Sequence, residues 1–172
     1  MKNVLAVIDM QNDFIDGSLG TPEAPLTVPA VVREIENPAY DGIIATMDTH
    51  HENYMETLEG KKLPVMHCIK GTDGWQIRPE ILAALEARNA EIIEKPTFGS
   101  IALAERLAAE KPESITLCGL CTDICVLSNA ILLRAYLKDT VIRVIAAGCA
   151  ATTPEKHQAT LAVLNSCQIE VC

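Results

Sequence analysis

Short runs rich in Val and Ile recur along the chain at 4–8, 43–47, 91–94, 115–118, 141–146 and 169–171, each ending in polar or glycine-containing residues. Segments with helical periodicity separate most of them, at 28–36, 79–89, 100–110, 124–138 and 154–166, with Pro79 and Pro154 suited to first-turn positions. Strands apolar on both sides need cover on both faces, and a helical crossover between them makes them parallel. The alternation therefore predicts an α/β fold of three layers, α/β/α, with a mainly parallel six-stranded sheet. A length of 172 residues suits one domain spanning 1–172, and no internal repeat or Pro-rich linker divides it. The exception to the rhythm is 49–78, a polar connection holding His50, His51, Glu59 and His67. It is longer than a crossover loop needs to be, which points to function.

Composition narrows the partners. With 49% hydrophobic and 22% charged residues the chain is of ordinary globular type. A formal charge of -9 argues against nucleic acid and against anionic membrane surfaces, which both require basic patches. No apolar stretch approaches the roughly 18 residues of a membrane helix. The run at 4–8 is too short for a secretory signal, so the expected compartment is the cytoplasm. Seven cysteines without framework spacing fit a reducing environment, mostly as small core residues.

In an open parallel sheet, ligands bind beyond the carboxyl ends of the strands. Asp9 ends the first run, Asp48 and His50 the second and Lys95 the third, while the fourth leads through a turn to Cys125. Four ionisable groupings thus converge on one rim. Cys125 opens an apolar helix that Thr122 or Asp123 can cap, and helix-terminal amides would favour the thiolate and lower its pKa. Packing in the first helical turn is the alternative for that sulfur. Asp9, at the mouth of an apolar strand, needs a positive partner, which Lys95 can supply. Together the three make a mechanism: Asp9 takes the thiol proton, Lys95 steadies the anions and Cys125 attacks a carbonyl. Taken singly, Asp9 can instead be a turn residue and Lys95 a solvated lysine.

Three blocks carry a resemblance: Asp9-Met10-Gln11-Asn12-Asp13-Phe14, Lys95-Pro96-Thr97-Phe98-Gly99-Ser100 and Gly119-Leu120-Cys121-Thr122-Asp123-Ile124-Cys125-Val126. In this order they resemble the isochorismatase-like cysteine hydrolases. The resemblance implies a Rossmann-like sheet, a catalytic triad of Asp9, Lys95 and Cys125, and a cis peptide between Leu120 and Cys121. It also implies an oxyanion hole from the amides of Cys121 and Cys125, and assembly into a homo-oligomer. Asp48-Thr49-His50 and His67-Cys68-Ile69-Lys70-Gly71-Thr72 resemble the metal site of the nicotinamidase branch, with Asp48, His50 and His67 as ligands and Glu59 as a further one. One carboxylate and two imidazoles with open positions suit Zn2+, with Fe2+ or Mn2+ as alternatives. The expected reaction is amide hydrolysis of nicotinamide to nicotinate and ammonia through a thioester; another carbamoyl or ureido amide is the alternative substrate.

The chain departs from bacterial nicotinamidases at Lys62–His67, which lacks their Trp. That leaves Phe14 as the substrate-stacking candidate, with core packing as its other role. His51 is expected in solvent or beyond the ligands, and Trp75 is expected to anchor a loop or subunit contact. Outside enzymology, Cys118, Cys121 and Cys125 would make a redox switch or a structural metal knot.

Overall fold

A computed structural model describes all 172 residues. Six strands form one sheet: β1 (Asn3–Ile8), β2 (Gly42–Asp48), β3 (Glu91–Lys95), β4 (Ser114–Leu120), β5 (Val141–Ala150) and β6 (Glu170–Val171). Their order is β3-β2-β1-β4-β5-β6 and every pairing is parallel. β1 and β4 lie side by side in the middle, and all seven residues of β4 are buried. Double-sided burial explains why these strands read as continuous apolar runs rather than alternating ones.

Seven helices complete the fold: α1 (Asn12–Ile15), α2 (Ala24–Glu36), α3 (Leu58–Lys62), α4 (Pro79–Ala87), α5 (Ile101–Glu110), α6 (Leu127–Tyr136) and α7 (Pro154–Ser166). α2 packs on α4 and on β5, while α6 packs between α5 and α7. Their starts are chemically marked. Ser100 and Thr153 cap α5 and α7 by accepting the amides of Leu103 and Lys156 at 3.1 and 3.2 Å. Pro79 and Pro154 open α4 and α7, where a missing N–H costs nothing. α2 begins at Ala24 rather than 28, with Pro25 in its first turn and Pro29 inside it. Pro29 sits so near the start that only one early hydrogen bond is forfeited. β5 runs to Ala150, four residues beyond the expected end, because a register shift against Leu117 to Gly119 lets it continue. No helix is long and apolar enough to cross a membrane.

The strand order reverses between β1 and β4. β1 connects through α2 to β2 on one side, and the chain returns through α5 to place β4 on the other. Such a reversal leaves a crevice at the carboxyl ends of the two strands. Gly119 makes their approach possible: its φ is +125°, and a Cβ there would collide with the Ile8 backbone.

Candidate active site

Asp9, Lys95 and Cys125 come together at this crevice, from the ends of β1, β3 and β4. All three are withdrawn from water, at 0%, 1% and 4% exposure. Lys95 Nζ lies 2.7 Å from Asp9 Oδ2, 3.2 Å from Asp48 Oδ1 and 3.7 Å from Cys125 Sγ, and donates to the Thr97 carbonyl at 3.0 Å. Asp9 holds a left-handed backbone, φ 48°, which bends the chain as it leaves β1. Thr46 Oγ1 donates to Asp9 Oδ1 at 2.7 Å. The solvated-lysine reading therefore fails.

Two of the sequence expectations about Cys125 need correction. Neither Thr122 nor Asp123 caps its helix. The chain enters α6 through a π-helical turn, Thr122–Val126, in which the Cys121 carbonyl accepts the amides of Ile124 and Val126 at 3.1 Å each. Thr122 Oγ1 instead pairs with His157 Nδ1 at 2.9 Å, and Asp123 accepts the hydroxyl of Thr152 at 2.7 Å, anchoring the turn to the start of α7. The thiol's pKa is not lowered either. Burial pushes it well up, the Asp9 carboxylate adds to the rise, and Lys95 offsets only part of it.

The resting state is consequently a neutral thiol beside a salt bridge. Burial and the Asp48 charge raise Asp9, against the opposing pull of Lys95. For Lys95, burial favours the neutral amine but is outweighed by the carboxylates of Asp9 and Asp48, so the ammonium persists. A carboxyl whose pKa is raised binds a proton more strongly than an ordinary carboxylate, which suits it to receive one. Leu120–Cys121 is a cis peptide, and Cys121 is buried with its thiol pushed up to about 12 by desolvation.

A second grouping adjoins the first through Asp48. Donor atoms of Asp48, His50, Glu59 and His67 all lie within 4.8 Å of one another. His50 Nε2 is 3.1 Å from Asp48 Oδ2 and 3.6 Å from Glu59 Oε1; His67 Nε2 is 3.6 and 3.7 Å from the same two oxygens. Ligands about 2.0–2.1 Å from a Zn2+ ion stand roughly 2.9–3.4 Å apart, so the four pairs at 3.1–3.7 Å are near that spacing while the widest separation, up to 4.8 Å, has to close. His67 Nδ1–H donates to the Val65 carbonyl at 2.8 Å, which leaves Nε2 turned to the grouping with its lone pair available.

Three carboxylates against one ammonium also give the buried region an excess of negative charge that a divalent cation would neutralise. Burial raises Glu59 accordingly. For Asp48, burial is outweighed by the imidazoles and Lys95, and its carboxyl stays below the usual carboxylate range. Glu59 thus converges with Asp48, His50 and His67. The converging donors include no sulfur and all seven cysteines are free, so Cys118, Cys121 and Cys125 form no metal knot or disulfide.

Phe14 is buried, its ring centroid 5.6 Å from that of His67, and it also belongs to the main hydrophobic cluster. Tyr54 packs at 4.7 and 5.0 Å from the His50 and His67 rings. His51 faces solvent. Trp75 anchors its loop, its indole N–H donating to Thr49 Oγ1 at 2.9 Å.

A family model for the isochorismatase domain matches residues 3–172. The chain belongs to the isochorismatase family. Within that family it is 29% identical over 169 residues to the uncharacterized isochorismatase family protein PncA of Bacillus subtilis (strain 168), covering 91% of each chain. It is similar to the solved nicotinamidase PncA from Bacillus subtilis, with 30% identity, a TM-score of 0.83, and 100% and 99% of the two chains covered. It also resembles the pyrazinamidase/nicotinamidase from Streptococcus mutans UA159, with 28% identity, a TM-score of 0.85, and 99% and 100% coverage.

Sequence reasoning on this isochorismatase-family chain missed three buried polar side chains. Thr46 lies two residues before Asp48 and so on the same side of β2, a period-two signal that was legible. Gln11 is fully buried; its Nε2 donates to the carbonyls of Asp48 and Trp75 at 2.8 Å each, and its Oε1 accepts the Asp48 amide at 2.7 Å. Asn129 lies one turn beyond Cys125 on α6, in a run that otherwise reads as plain apolar helix.

Proposed function

We propose that this protein hydrolyses nicotinamide, or a closely similar aromatic primary amide, to its acid and ammonia, with Cys125 as nucleophile, Asp9 as proton carrier and Lys95 as charge stabiliser. The chain is a hydrolase of carbon-nitrogen bonds other than peptide bonds. The single observation that carries the assignment is the contact of one buried ammonium with both the Asp9 carboxylate and the Cys125 sulfur. The likeness to the Bacillus subtilis nicotinamidase supports the choice of amide.

In this reading the Asp9 carboxylate takes the thiol proton as Cys125 Sγ bonds to the amide carbon, and the carbonyl oxygen becomes an oxyanion. The amides of Cys121 and Cys125 are the proposed donors to it. Collapse of the adduct breaks the carbon-nitrogen bond, Asp9 returns its proton to the leaving nitrogen, and ammonia departs from a thioester. Water then attacks the thioester carbon, with Asp9 receiving its proton and the thiol leaving with one. Lys95 remains protonated throughout, because removing its charge would strand two buried carboxylates.

Asp48, His50, Glu59 and His67 would hold a divalent ion, of which Zn2+ fits best and Fe2+ or Mn2+ also suit the donors. When bound, that ion supplies a Lewis-acid position for a ring nitrogen of the substrate. Phe14 and Tyr54 both pack against the His67 ring, and such aromatic surroundings favour a flat aromatic amide over a ureido compound. Assembly into a homo-oligomer completes the reading: Leu26 and Leu58 stand 76% and 72% exposed, and sedimentation is expected to give a mass above that of one chain.

The deciding experiment incubates purified protein with nicotinamide, pyrazinamide and a panel of carbamoyl and ureido compounds, and measures ammonia. Release from the two aromatic amides, absent in Cys125→Ala, is the expected result. Release from the panel alone would transfer the assignment to that second class.

A further inference from the structure

Lys95 and Cys125 lie on different elements, so the loop following β3 must be held in register with the start of α6. Asn129 is fully buried between them and uses both ends of its amide there. Its Nδ2 donates to the Cys125 carbonyl at 2.8 Å and to the Phe98 carbonyl at 3.1 Å, and its Oδ1 accepts the Ser100 amide at 2.9 Å. Both donor hydrogens are thereby engaged. Sterics alone would not fix this register. A Cβ built on Gly99 would stand 3.6 Å from Ser128 and Leu132, so the loop rests on α6 in ordinary contact at most.

The register matters because the Lys95 ammonium has more neighbours than hydrogens. Three N–H bonds face Asp9 Oδ2, the Thr97 carbonyl, Asp48 Oδ1 and the sulfur, at 2.7, 3.0, 3.2 and 3.7 Å. Carboxylates outcompete a thiol for such donors, so the sulfur keeps its share only if the geometry enforces it. Thr97 is the one backbone acceptor in the set, and it precedes the two peptide units that Asn129 grips.

We propose that Asn129 is a positioning residue, stapling the Lys95 loop to the nucleophile's helix and so holding the ammonium beside the sulfur. The inference rests on the triad reading above. Its test uses Asn129→Ser, whose hydroxyl can return to the Cys125 carbonyl but is too short to span to Phe98 and Ser100. Asn129→Asp is the isosteric partner, which still accepts from Ser100 but turns an oxygen toward two carbonyls.

With nicotinamide, both folded variants are expected to lose about tenfold or more in kcat while KM stays within about twofold, since the displaced groups act in the chemical step. Alkylation of Cys125 by iodoacetamide, followed on its own peptide by mass spectrometry, is expected to slow by a similar factor. A merely structural role would lower the melting temperature and leave kcat and alkylation of the folded protein unchanged. Alkylation needs no substrate: wild type inert toward nicotinamide would sink only the choice of amide, whereas wild-type alkylation and kcat in folded Asn129→Ser would overturn the staple. Unfolding of both variants would overturn it too, by assigning Asn129 to stability alone.

Discussion

Lys95 is an ammonium taken almost wholly out of water and balanced by two carboxylates on neighbouring strands. Truncating one member of a buried ion pair strands the other, at a cost of about 3–5 kcal/mol. Lys95→Ala is therefore expected to lower the urea-unfolding free energy by that order while abolishing ammonia release. Cys125→Ala removes only a buried sulfur with a neutral thiol, so its activity should vanish with a far smaller change in the same unfolding measurement. Equal stability losses in the two variants would contradict the charge assignment.

Titration supplies a second check at this scale. Burial works to lower His67, but the Asp48 contact and the Val65 carbonyl outweigh it, and its pKa rises. In metal-free protein that stabilisation is fully present below the unfolded value, about 6.5, and lost as pH rises through the folded one. A divalent ion requires the neutral imidazole, so the preference reverses. Calorimetric zinc titration should show affinity falling as pH drops through the raised His67 value, with more protons released per ion at the acidic end. Asp9 and Lys95 were readable from the sequence because each is a charged residue at the end of an apolar run, and Cys125 because the turn after the fourth run leads to it. Their charge states were not, since the rise in the Cys125 thiol depends on burial and on Asp9, which lies 116 positions away.

The elements were legible wherever one signal dominated. The apolar runs gave all six strands, and Pro79 and Pro154 marked the starts of α4 and α7. Two places resisted. The apolar periodicity shows from 28, yet the helix begins at Ala24 and accommodates Pro25 and Pro29 in its first turns. The π-helical turn at Thr122–Val126 depends on one carbonyl accepting two amides, and on His157 and Thr152 holding its side chains from α7. Nothing within residues 119–126 encodes partners some 30 positions downstream. The join of β4 to that turn yields an element-scale expectation: Gly119→Ala places a methyl against the Ile8 backbone at φ +125°. The strain alone costs about 1–3 kcal/mol, and the collision moves Asp9 away from Cys125. Thr153→Ala, by contrast, should cost about 1 kcal/mol of stability through the lost α7 cap and leave kcat unchanged. Thermal melts and ammonia release on both variants separate a pocket defect from a general one.

At the scale of the whole molecule, the excursion at 49–78 is the one part of the chain outside the layered α/β rhythm. Its two ends are tied to the rest of the chain, where the Thr49 amide donates to the Lys95 carbonyl and the amides of Asn12 and Asp13 donate to the carbonyls of Gln76 and Gly74, at 2.9 Å each. Further in, the His50 amide donates to the Cys68 carbonyl at 2.9 Å, Asp13 Oδ2 accepts the Cys68 amide at 2.8 Å, and Tyr54 OH donates to the Leu63 carbonyl at 2.9 Å. Between these ties, Met55, Leu58, Leu63 and Met66 expose apolar surface and contribute little to the core. The four proposed ligands span this segment, with Asp48 on the sheet, Glu59 on α3 and His67 at its far end, so an ion would clamp it to β2. Binding that favours the folded state stabilises by about 2.7 kcal/mol at a free concentration 100 times Kd. Chelation is expected to lower the melting temperature and to quicken protease cleavage within 51–66 while leaving the layered remainder intact, since local opening needs only the clamp released. Cleavage patterns and melts that do not change when zinc is removed and restored would show that these four side chains hold no ion, and that their convergence serves only to pair buried charges.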